Sequence, residues 1–488
     1  MPEMTTDAPK AFVAMPSLRQ QVARGALWLL AGDGATAVLS FIKVAVMARV
    51  LSATDFGLFG LALLVSGWCE YLTELGFRDA LIQRQGEISS YLDTVWTAQV
   101  LRGLVIAALV VGAGPVVAWY YETPAVAFGM YLVAANIVVR AVTNPATVYL
   151  RKSLDLMRDV TWRLAGPVAG LVSGIALALL LQNAWALFYS LLVASVAQTV
   201  ASFVSYPYRP RFRFARAQAH DLLRFGHQLF WLRVVSMINW SIDSTVVSKV
   251  LGLTATGHYQ MAGRLASLPG TAIGAPLHGV MFPALSKVDD PARRRAVLAQ
   301  TLKIVLAITM PLALTLAVFS PLIVRLVFGA GWTDAATIAA ILSCFVVTLP
   351  MSNILNAYFM ATRRVDLDTR AAVVRAVIQV VLIYPAAVYW GVAGVAAVAA
   401  VSFVISVGYE LALAADLARL RPAELRSCLN GGLLASMPLV LAWPFVSLEL
   451  SVSAIAIALA LATASVAIGA AAAHSVFSRP LASAGGIE

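Results

Sequence analysis

The stretch ARVLSATDFGLFGLA at positions 48–62 recurs as SKVLGLTATGHYQMA at positions 248–262. At an offset of 200 positions the two copies share Val50/Val250, Leu51/Leu251, Thr54/Thr254, Gly57/Gly257 and Ala62/Ala262. The similarity continues with AQVLR (98–102) and AQTLK (299–303) at an offset of 201, and with Asn144/Asn356 at 212. A repeat of this length predicts two structurally equivalent halves in one chain.

A pattern of basic residues also occurs twice. The segment RKSLDLMRDVTWR (151–163) and the segment RRVDLDTRAAVVR (363–375) carry Arg or Lys at the same four places. The matched pairs, again 212 positions apart, are Arg151/Arg363, Lys152/Arg364, Arg158/Arg370 and Arg163/Arg375. The charge pattern is therefore repeated together with the rest of the half.

The composition indicates a membrane protein. Of the 488 residues, 60% are hydrophobic and 12% are charged, and the mean hydropathy is +0.84. A soluble domain carries about 25% charged residues. Apolar runs of at least about 18 residues recur along the chain, as expected for transmembrane helices. No polar segment is long enough for a soluble catalytic domain.

The apolar runs predict about fourteen helices. They fall at 24–48, 57–78, 93–118, 126–149, 161–182, 185–206, 227–249, 258–284, 299–322, 335–359, 371–389, 392–415, 428–447 and 452–474. Alternate loops are rich in Arg, whereas the others read YYETPA, QNAW, GLTATG, GAGWTDA, YWGVAG and VSLEL. Since basic loops stay in the cytoplasm, both termini are predicted to be cytoplasmic.

The repeat and the helix count together predict an all-α integral membrane protein with two parallel six-helix lobes and two C-terminal helices. The boundaries are 1–206 for the N-lobe, 207–226 for a basic cytoplasmic linker, 227–415 for the C-lobe, and 416–488 for the last two helices and the tail. Six helices per half give both halves the same orientation, as in some transporters. The net charge of +11 is attributed to the loops, so no nucleic-acid partner is expected.

Several charged residues are predicted at membrane depth, where a charge usually faces a cavity or a partner. Basic residues outnumber acids there, which favours an anionic cargo. The candidates for binding it are Lys43, Arg78, Arg102, Arg140, Arg233, Arg264 and Lys303. In the alternative, Glu74 pairs with Arg78 or Asp243 pairs with Lys43, and the charges only lock helices together.

The repeated basic segments are candidates for a cytoplasmic mouth, with Arg158, Arg163, Arg370 and Arg375 attracting the anion. The alternative for their first residues is anchoring of the topology. The titratable candidates for ion or proton coupling are Glu70, Glu74, Asp243 and His278. The sequence contains no metal-ligand cluster, phosphate loop or nucleophile elbow, so no cofactor and no enzymatic activity are expected.

The repeat segments resemble a known family. ARVLSATDFGLFGLA with ELGFRDALIQR (74–84), and IDSTVVSKVLGLTATGHYQMAGRLASLP (242–269), look like the first-lobe and second-lobe patterns of Wzx-type polysaccharide flippases. These belong to the multidrug/oligosaccharidyl-lipid/polysaccharide superfamily and have a MATE-like fold. The resemblance implies transport of an undecaprenyl-diphosphate-linked oligosaccharide to the periplasmic face of the bacterial inner membrane. Polysaccharide polymerase and export proteins would be its partners.

Three other functions stay open on the sequence. A cation-coupled drug exporter of the same superfamily would need an acid-dominated cavity. A membrane polymerase or ligase would need a large periplasmic loop with catalytic Arg or His, and the outer loops are short. A flippase for a lipid-linked peptidoglycan precursor shares the fold and the chemistry, so the residues alone do not separate it.

Overall fold

The computed structural model describes residues 18–73, 89–153, 155–215 and 230–442. Nearly all of these residues are helical, and no β-strand occurs among them, which confirms the all-α class. The predicted fourteenth helix (452–474), the N-terminus and the motif at 74–84 lie outside the described residues. The total number of spans and the side of the termini therefore stay predictions.

The first half of the chain contains six long helices, for which we keep the name N-lobe. They are α1 (Leu18–Ala48), α2 (Ala53–Thr73), α3 (Ser89–Tyr120), α4 (Ala125–Ala141), α5 (Leu156–Leu181) and α6 (Trp185–Ser205). After a bend of 58°, α4 is followed by a short helical segment, Pro145–Lys152. Within this lobe α5 packs on α6 and α1, and α4 packs on α3, α2 and α6.

The helices of the second half keep the name C-lobe. Its helices are α7 (Phe230–Val250), α8 (Gly252–Ser286), α9 (Pro291–Val327), α10 (Thr333–Leu342), α11 (Phe345–Ala361) and α12 (Val365–Ala418), followed by α13 (Pro422–Ala442). Helix α8 packs on α11, α7 packs on α12, and α13 packs along α9. The start of α9 shows how local sequence sets these bounds: Asp290 accepts hydrogen bonds from the Ala292 and Arg293 amides, and Pro291 occupies the first turn.

Helix α12 is two helices joined at a break. Its 54 residues, at about 1.5 Å each, would reach about 80 Å, more than twice the hydrocarbon core of about 30 Å. Gly391 interrupts it with φ 61° and ψ −150°, a backbone conformation that L side chains rarely adopt. The break lies between the predicted helices at 371–389 and 392–415.

Length and composition qualify six described helices as membrane spans, or eight if each of two bent pairs counts as one span. The second pair, Ala330–Leu342 with Phe345–Ala361, bends by 43°. Many side chains on these helices are exposed apolar groups, for example Leu180 and Val204. Such surfaces are expected where lipid, rather than water, surrounds the bundle.

The two lobes meet mainly through α2, which packs against α7 and α8. We call the two ends of the bundle the closed end and the basic end. The closed end carries residues 49–54, 120–125, 249–254 and 326–333. The basic end, opposite, carries residues 206–215, 287–291, 362–365 and 419–422.

The first part of the predicted linker, residues 207–215, is extended and lies along α3. The Tyr208 hydroxyl donates to Asp93 at 2.5 Å, and the Arg213 amide donates to the Thr97 hydroxyl at 3.0 Å. The Trp96 and Phe212 rings meet edge to face at 4.8 Å. This part of the linker is thus held by the N-lobe, while residues 216–226 lie outside the described residues.

Candidate functional site: a polar cavity between the lobes

A cavity of about 480 Å³ lies between α2 and the C-lobe. From α2 it receives uncharged residues, namely Gly60, Leu63, Leu64, Gly67 and Trp68. The C-lobe helices supply the charged and most of the polar lining: Asn239, Ser241, Asp243, Ser244, Tyr259, Gln260, Arg264, Ser267, Arg375 and Gln379. One wall of the cavity is therefore apolar and neutral, and the other carries all of its formal charge.

Arg264 forms the first cationic position of the cavity. It lies near the middle of α8, yet its side chain is exposed, because it faces the cavity. No carboxylate pairs with it among the described residues. Lys43 of α1 lies close enough for the two like charges to interact. Two neighbouring cations without a carboxylate form a position that an anion would stabilise.

Lys43 lies against a glycine stripe on α5. A Cβ at Gly174 would lie 3.2 Å from Cδ of Lys43 and 3.1 Å from Sδ of Met47. A Cβ at Gly170 would lie 3.9 Å from its Nζ. The small residues at Gly166, Gly170 and Gly174 thus let α1 and α6 approach α5 closely. They also give the lysine stem a surface to lie on.

Arg375 forms the second cationic position. Its guanidinium carbon lies 4.6 Å from the Phe403 ring centroid and 6.0 Å from that of Trp240. It also interacts with the charges of Asp243, Asp368 and Glu410 without an ion pair within 4.0 Å among the described residues. Its buried Nε has no hydrogen-bond partner there. The aromatic rings hold the side chain in place, and its Nε–H remains available to a ligand.

Asp243, the acid that lines the cavity, has its oxygens occupied by other groups. The Tyr259 hydroxyl donates to Oδ2 at 2.6 Å, and the Ser244 amide donates to Oδ1 at 2.6 Å. The alternative in which Asp243 pairs with Lys43 is not seen in the structure. The cavity wall therefore presents Arg264, Arg375 and one carboxylate that already accepts two hydrogen bonds.

Several polar atoms of the lining lack partners among the described residues. They are Nε1 of Trp68, Oδ1 of Asn239 and Oε1 of Gln379, all buried. Buried polar groups are normally hydrogen-bonded, so each such atom needs a ligand or a bound water. Together with the exposed Trp240 ring, these groups can bind a molecule with many hydroxyls and some apolar faces.

The closed end is built from repeat-related residues. Thr54 Oγ1 lies 2.7 Å from Thr254 Oγ1. A Cβ at Gly57 would lie 1.9 Å from the Leu253 oxygen, and one at Gly257 would lie 1.9 Å from the Ala53 oxygen. Glycine is required at both positions because the opposite backbone comes this close.

Two side chains connect the lobes at this end, and they too are repeat-related. Arg49 donates to the Val327 carbonyl at 3.3 Å and to that of Leu326, at the C-terminal end of α9. Lys249, 200 positions later, donates to the Tyr120 carbonyl at the end of α3. Its ammonium also lies 3.7 Å from Glu122. Each lobe thus contacts a helix end of the other.

The N-lobe candidates take part in contacts within their own lobe. Arg102 donates to the Glu70 carbonyl at 2.9 Å, and Arg140 lies 3.6 Å from the Glu70 carboxylate. Neither arginine lines the cavity. Arg163 forms ion pairs with Asp33 and Asp159, and the latter carboxylate is fully buried.

The remaining candidates lie apart from one another. Arg158 pairs with Asp155 at 3.4 Å, and Arg370 pairs with Asp366 at 3.5 Å, both exposed at the basic end. His278 Nε2 lies 3.0 Å from Asn356 Oδ1. Lys303 lines a separate pocket at the basic end. Glu74, Arg78 and the side chain of Arg233 lie outside the described residues.

Several polar lining residues were not predicted from the sequence, among them Gln379 and Gln260. Gln379 follows Arg375 by four positions, so both lie on one face of α12, and this spacing was the available signal. Gln260 stands opposite Gly60, 200 positions earlier, where a Cβ would lie 1.8 Å from the glutamine Oε1. The repeat alignment marked this pair, but it gave no reason to expect that one member would reach across to the other.

Comparison with known proteins agrees with this architecture. The chain is 26% identical to the succinoglycan biosynthesis transport protein ExoT of Rhizobium meliloti (strain 1021), over 66% of this chain and 65% of ExoT. It is 25% identical to the lipopolysaccharide biosynthesis protein WzxC of Escherichia coli (strain K12), over 72% of each. The match to ExoT spans slightly less than two thirds of that protein's length.

Among solved structures, the lipid II flippase MurJ in an inward closed conformation superposes with a TM-score of 0.75 at 16% identity. The match covers 92% of this chain and all of MurJ. This shows a shared fold. The resemblance to Wzx-type proteins is confirmed by the sequence relatives and by the family match. Residues 46–337, more than half of the sequence, match the family described as polysaccharide biosynthesis protein, and the chain belongs to that family.

Proposed function

We propose that the protein is a flippase that moves an undecaprenyl-diphosphate-linked oligosaccharide from the cytoplasmic to the periplasmic face of the inner membrane. The observation that carries the proposal is that Arg264 lines the cavity within reach of the like charge of Lys43, and that neither has a carboxylate partner among the described residues. A charge at membrane depth costs on the order of 2.5–3.5 kcal/mol. The diphosphate of the cargo would stabilise both cations.

The geometry supports separate positions for the two parts of the cargo headgroup. Arg264 and Arg375 present guanidinium groups, which bind phosphate oxygens in a bidentate manner. Asn239, Gln260 and Gln379 supply amides for sugar hydroxyls, and Trp240 supplies an exposed ring. The apolar wall formed by α2 suits the start of the polyprenyl tail, and the rest of the tail would stay in the bilayer.

Transport then requires the closed end to open while the basic end closes, as in alternating access. We infer that the basic end faces the cytoplasm, since its loops carry most of the Arg and Lys residues. Outward movement of an anion is favoured by an inside-negative potential, by about 2.3 kcal/mol per charge per 100 mV. Of the described coupling candidates Glu70, Asp243 and His278, Asp243 alone lines the cavity.

The test is made in vesicles that contain the purified chain and a fluorescent polyprenyl-diphosphate oligosaccharide, with an impermeant quencher outside. Protein-dependent flipping should accelerate when a potential is imposed in the direction that drives anions outward. Arg264→Ala should slow it at least about tenfold, because a charge-assisted hydrogen bond is worth about 1.5–3 kcal/mol. Arg264→Lys should retain part of the rate.

Arg325→Ala is the matched control, because Arg325 is also on the C-lobe but is exposed at the closed end. Its rate should equal that of the unmodified chain. Full transport by Arg264→Ala, with normal insertion, would contradict the cavity assignment.

Two other functions are separated in the same vesicles. A lipid-linked peptidoglycan precursor carries the same diphosphate, so the test must compare the two glycans as competing cargoes. A drug exporter would instead bind an organic cation through Asp243, which already accepts hydrogen bonds from Tyr259 and Ser244. Efflux of an organic cation without flipping would assign the protein to that function.

A further inference from the structure

A second polar pocket lies at the basic end, away from the transport cavity. It is formed by α9 and the first turns of α13, and the two pockets share no lining residue. Its polar residues are Lys303, Arg421, Arg426, Ser427 and Asn430. Lys303 was expected from the sequence in the transport cavity, so the structure gives it a different environment.

The charges of this pocket are unbalanced. No carboxylate pairs with Lys303, Arg421 or Arg426 among the described residues. The nearby acid Glu424 is engaged elsewhere: it accepts from the Arg421 amide at 2.7 Å and lies 3.7 Å from the Arg295 guanidinium. Three cations and the amide end of α13 therefore surround the pocket, an arrangement that favours an anion.

Local packing holds this arrangement in place. The Cγ and Cε atoms of Lys303 lie 3.8 Å from the position that a Cβ on Gly431 would occupy, so the lysine stem runs alongside α13. On another face of the same helix, Cys428 is buried and its Sγ donates to the Ala299 carbonyl at 3.4 Å. The pocket is thus part of the α9–α13 contact.

The surface next to the pocket is apolar. One turn beyond Asn430, the side chain of Leu434 lines the pocket and is 64% exposed. Leu433 and Met437 are also exposed on α13. A ligand that fits has a phosphate group at the helix start and hydrocarbon chains along the following turns. A free phosphate would leave these apolar side chains unused.

We propose that this pocket binds the headgroup of an anionic phospholipid from the leaflet at the basic end, as a site separate from the transport cavity. Basic pockets between helices at the cytoplasmic side commonly bind anionic lipid headgroups. The resident phospholipid is favoured over the cargo because the pocket is continuous with the lipid-facing surface of α13 and shares no residue with the cavity. The bound lipid would hold α13 against α9.

The test uses the full chain in nanodiscs of phosphatidylcholine with a titrated fraction of phosphatidylglycerol, with binding read by native mass spectrometry. Arg421→Ala/Arg426→Ala should lower the apparent affinity for phosphatidylglycerol about 25-fold, since each basic residue contributes about fivefold near a membrane surface. Lys287→Ala/Arg293→Ala removes the same charge from exposed positions of the same end and should change it little. If the first double variant does not fold, Lys303→Gln replaces it.

Added ligands distinguish the sources of phosphate. Water-soluble glycerol phosphate should not displace phosphatidylglycerol, and displacement would indicate a soluble-anion site and overturn the lipid assignment. Polyprenyl diphosphate should displace it only weakly, and Arg264→Ala should leave phosphatidylglycerol binding unchanged. Displacement at equal concentration would make the pocket a cargo site. Equal loss in both double variants would show a general charge effect and overturn the proposal.

Discussion

The two halves of the internal repeat make equivalent contacts at the closed end, but they contribute different residues to the cavity wall. At the closed end, repeat-related residues meet each other: Thr54 contacts Thr254, and Arg49 and Lys249 each reach the other lobe. Around the cavity the halves differ. The wall formed by α2 is uncharged, whereas the C-lobe supplies Arg264 and Arg375.

The same difference appears in how the charges are paired. In the N-lobe, Arg140 pairs with Glu70, and Arg163 pairs with Asp33 and Asp159. In the C-lobe, Arg264 has no carboxylate partner among the described residues. The contacts that close the protein are thus shared by both repeats, while the groups that would bind an anion belong mainly to one. We therefore expect substitutions of the buried N-lobe charges to change stability, substitutions at the closed end to change closure, and substitutions in the cavity to change transport.

The largest effect is expected from Asp159→Ala in the N-lobe. The fully buried carboxylate lies 3.0 Å from Arg151 Nε and 3.6 Å from Arg163. Its loss leaves Arg151 without a carboxylate partner among the described residues and leaves Arg163 with Asp33 alone. Removing one partner of a buried ion pair costs about 3–5 kcal/mol. Thermal unfolding in detergent, followed by tryptophan fluorescence, measures the loss.

The control in the C-lobe is Asp366→Ala. Asp366 pairs with Arg364 and Arg370 on the surface, where such pairs contribute at most about 1 kcal/mol. An equal loss in both variants would contradict the assignment of the buried N-lobe charges to stability.

The next largest effect is expected from Gly57→Ala at the closed end. The new Cβ would meet the Leu253 backbone oxygen, and overpacking of this kind costs about 1–3 kcal/mol. The reporter is oxidative cross-linking of Thr54→Cys to Thr254→Cys in a chain whose three natural cysteines are replaced. Cross-linking should be efficient in that chain and should fall strongly when Gly57→Ala is added.

Gly112→Ala is the matched glycine control. It lies in α3 with nothing within 4 Å of its Cβ position, and Ala favours a helix by about 1 kcal/mol. Cross-linking should be unchanged there. If Gly57→Ala also left it unchanged, close backbone approach at the closed end would be refuted.

A smaller effect is expected from Tyr208→Phe, which removes a contact of the first repeat that has no counterpart among the described residues of the second. Its partner Asp93 aligns, at the offset of 201, with Arg294, which instead donates to the Val288 carbonyl. A hydrogen bond to a charged group is worth about 1.5 kcal/mol at the lower end of its range. Thermal unfolding at pH 7 should show this loss.

The pH dependence gives a second measurement for this pair. Burial and the hydrogen bond to Asp93 raise the pKa of Tyr208 above its ordinary value. The contribution of the phenol should therefore be constant below about pH 10, the unfolded value, and be lost as the pH rises towards the higher folded pKa. If the difference in stability between the unmodified chain and Tyr208→Phe already shrank between pH 7 and 9, this expectation would be contradicted.

The smallest effects are expected from Arg49→Ala and Lys249→Ala. Each removes a cation from a helix C-terminus, worth about 0.5 kcal/mol. Labelling of Thr54→Cys by an impermeant maleimide should rise about twofold in each variant and about fivefold in the double variant. Arg325→Ala, exposed at the same end, should not change it. Unequal single effects would show that the two repeats do not contribute equally to closure.

The sequence predicted those features that depend on local pattern and on the repeat. The hydrophobic runs located the described helices to within a few residues at most ends, and the alignment brought Thr54 opposite Thr254. The break at Gly391 matched a predicted boundary. These features follow from the periodicity of apolar residues and from the equal offsets of the repeat, and both can be found in a single sequence.

The pairing of charges could not be predicted in the same way. Arg375 ends the second basic segment and was expected at the mouth, but it lies ten residues inside α12, about 15 Å along the helix. Its repeat partner Arg163 is held by Asp33, which comes from a different helix. Lys303 aligns with Arg102, yet it faces α13, a helix with no counterpart in the first repeat. Such partners depend on which helices become neighbours.

The Thr54–Thr254 contact and the two interlobe side chains have the geometry of an isologous interface, as between the subunits of a two-fold dimer, but within one polypeptide. In such an interface residue i meets residue j and residue j meets residue i. The Arg49 and Lys249 contacts are therefore equivalent contacts within one interface, and opening the closed end must break both. Because the halves are covalently joined, their association does not depend on protein concentration, as that of a dimer does. Each half can also acquire its own cavity-lining residues without a matching change in the other half.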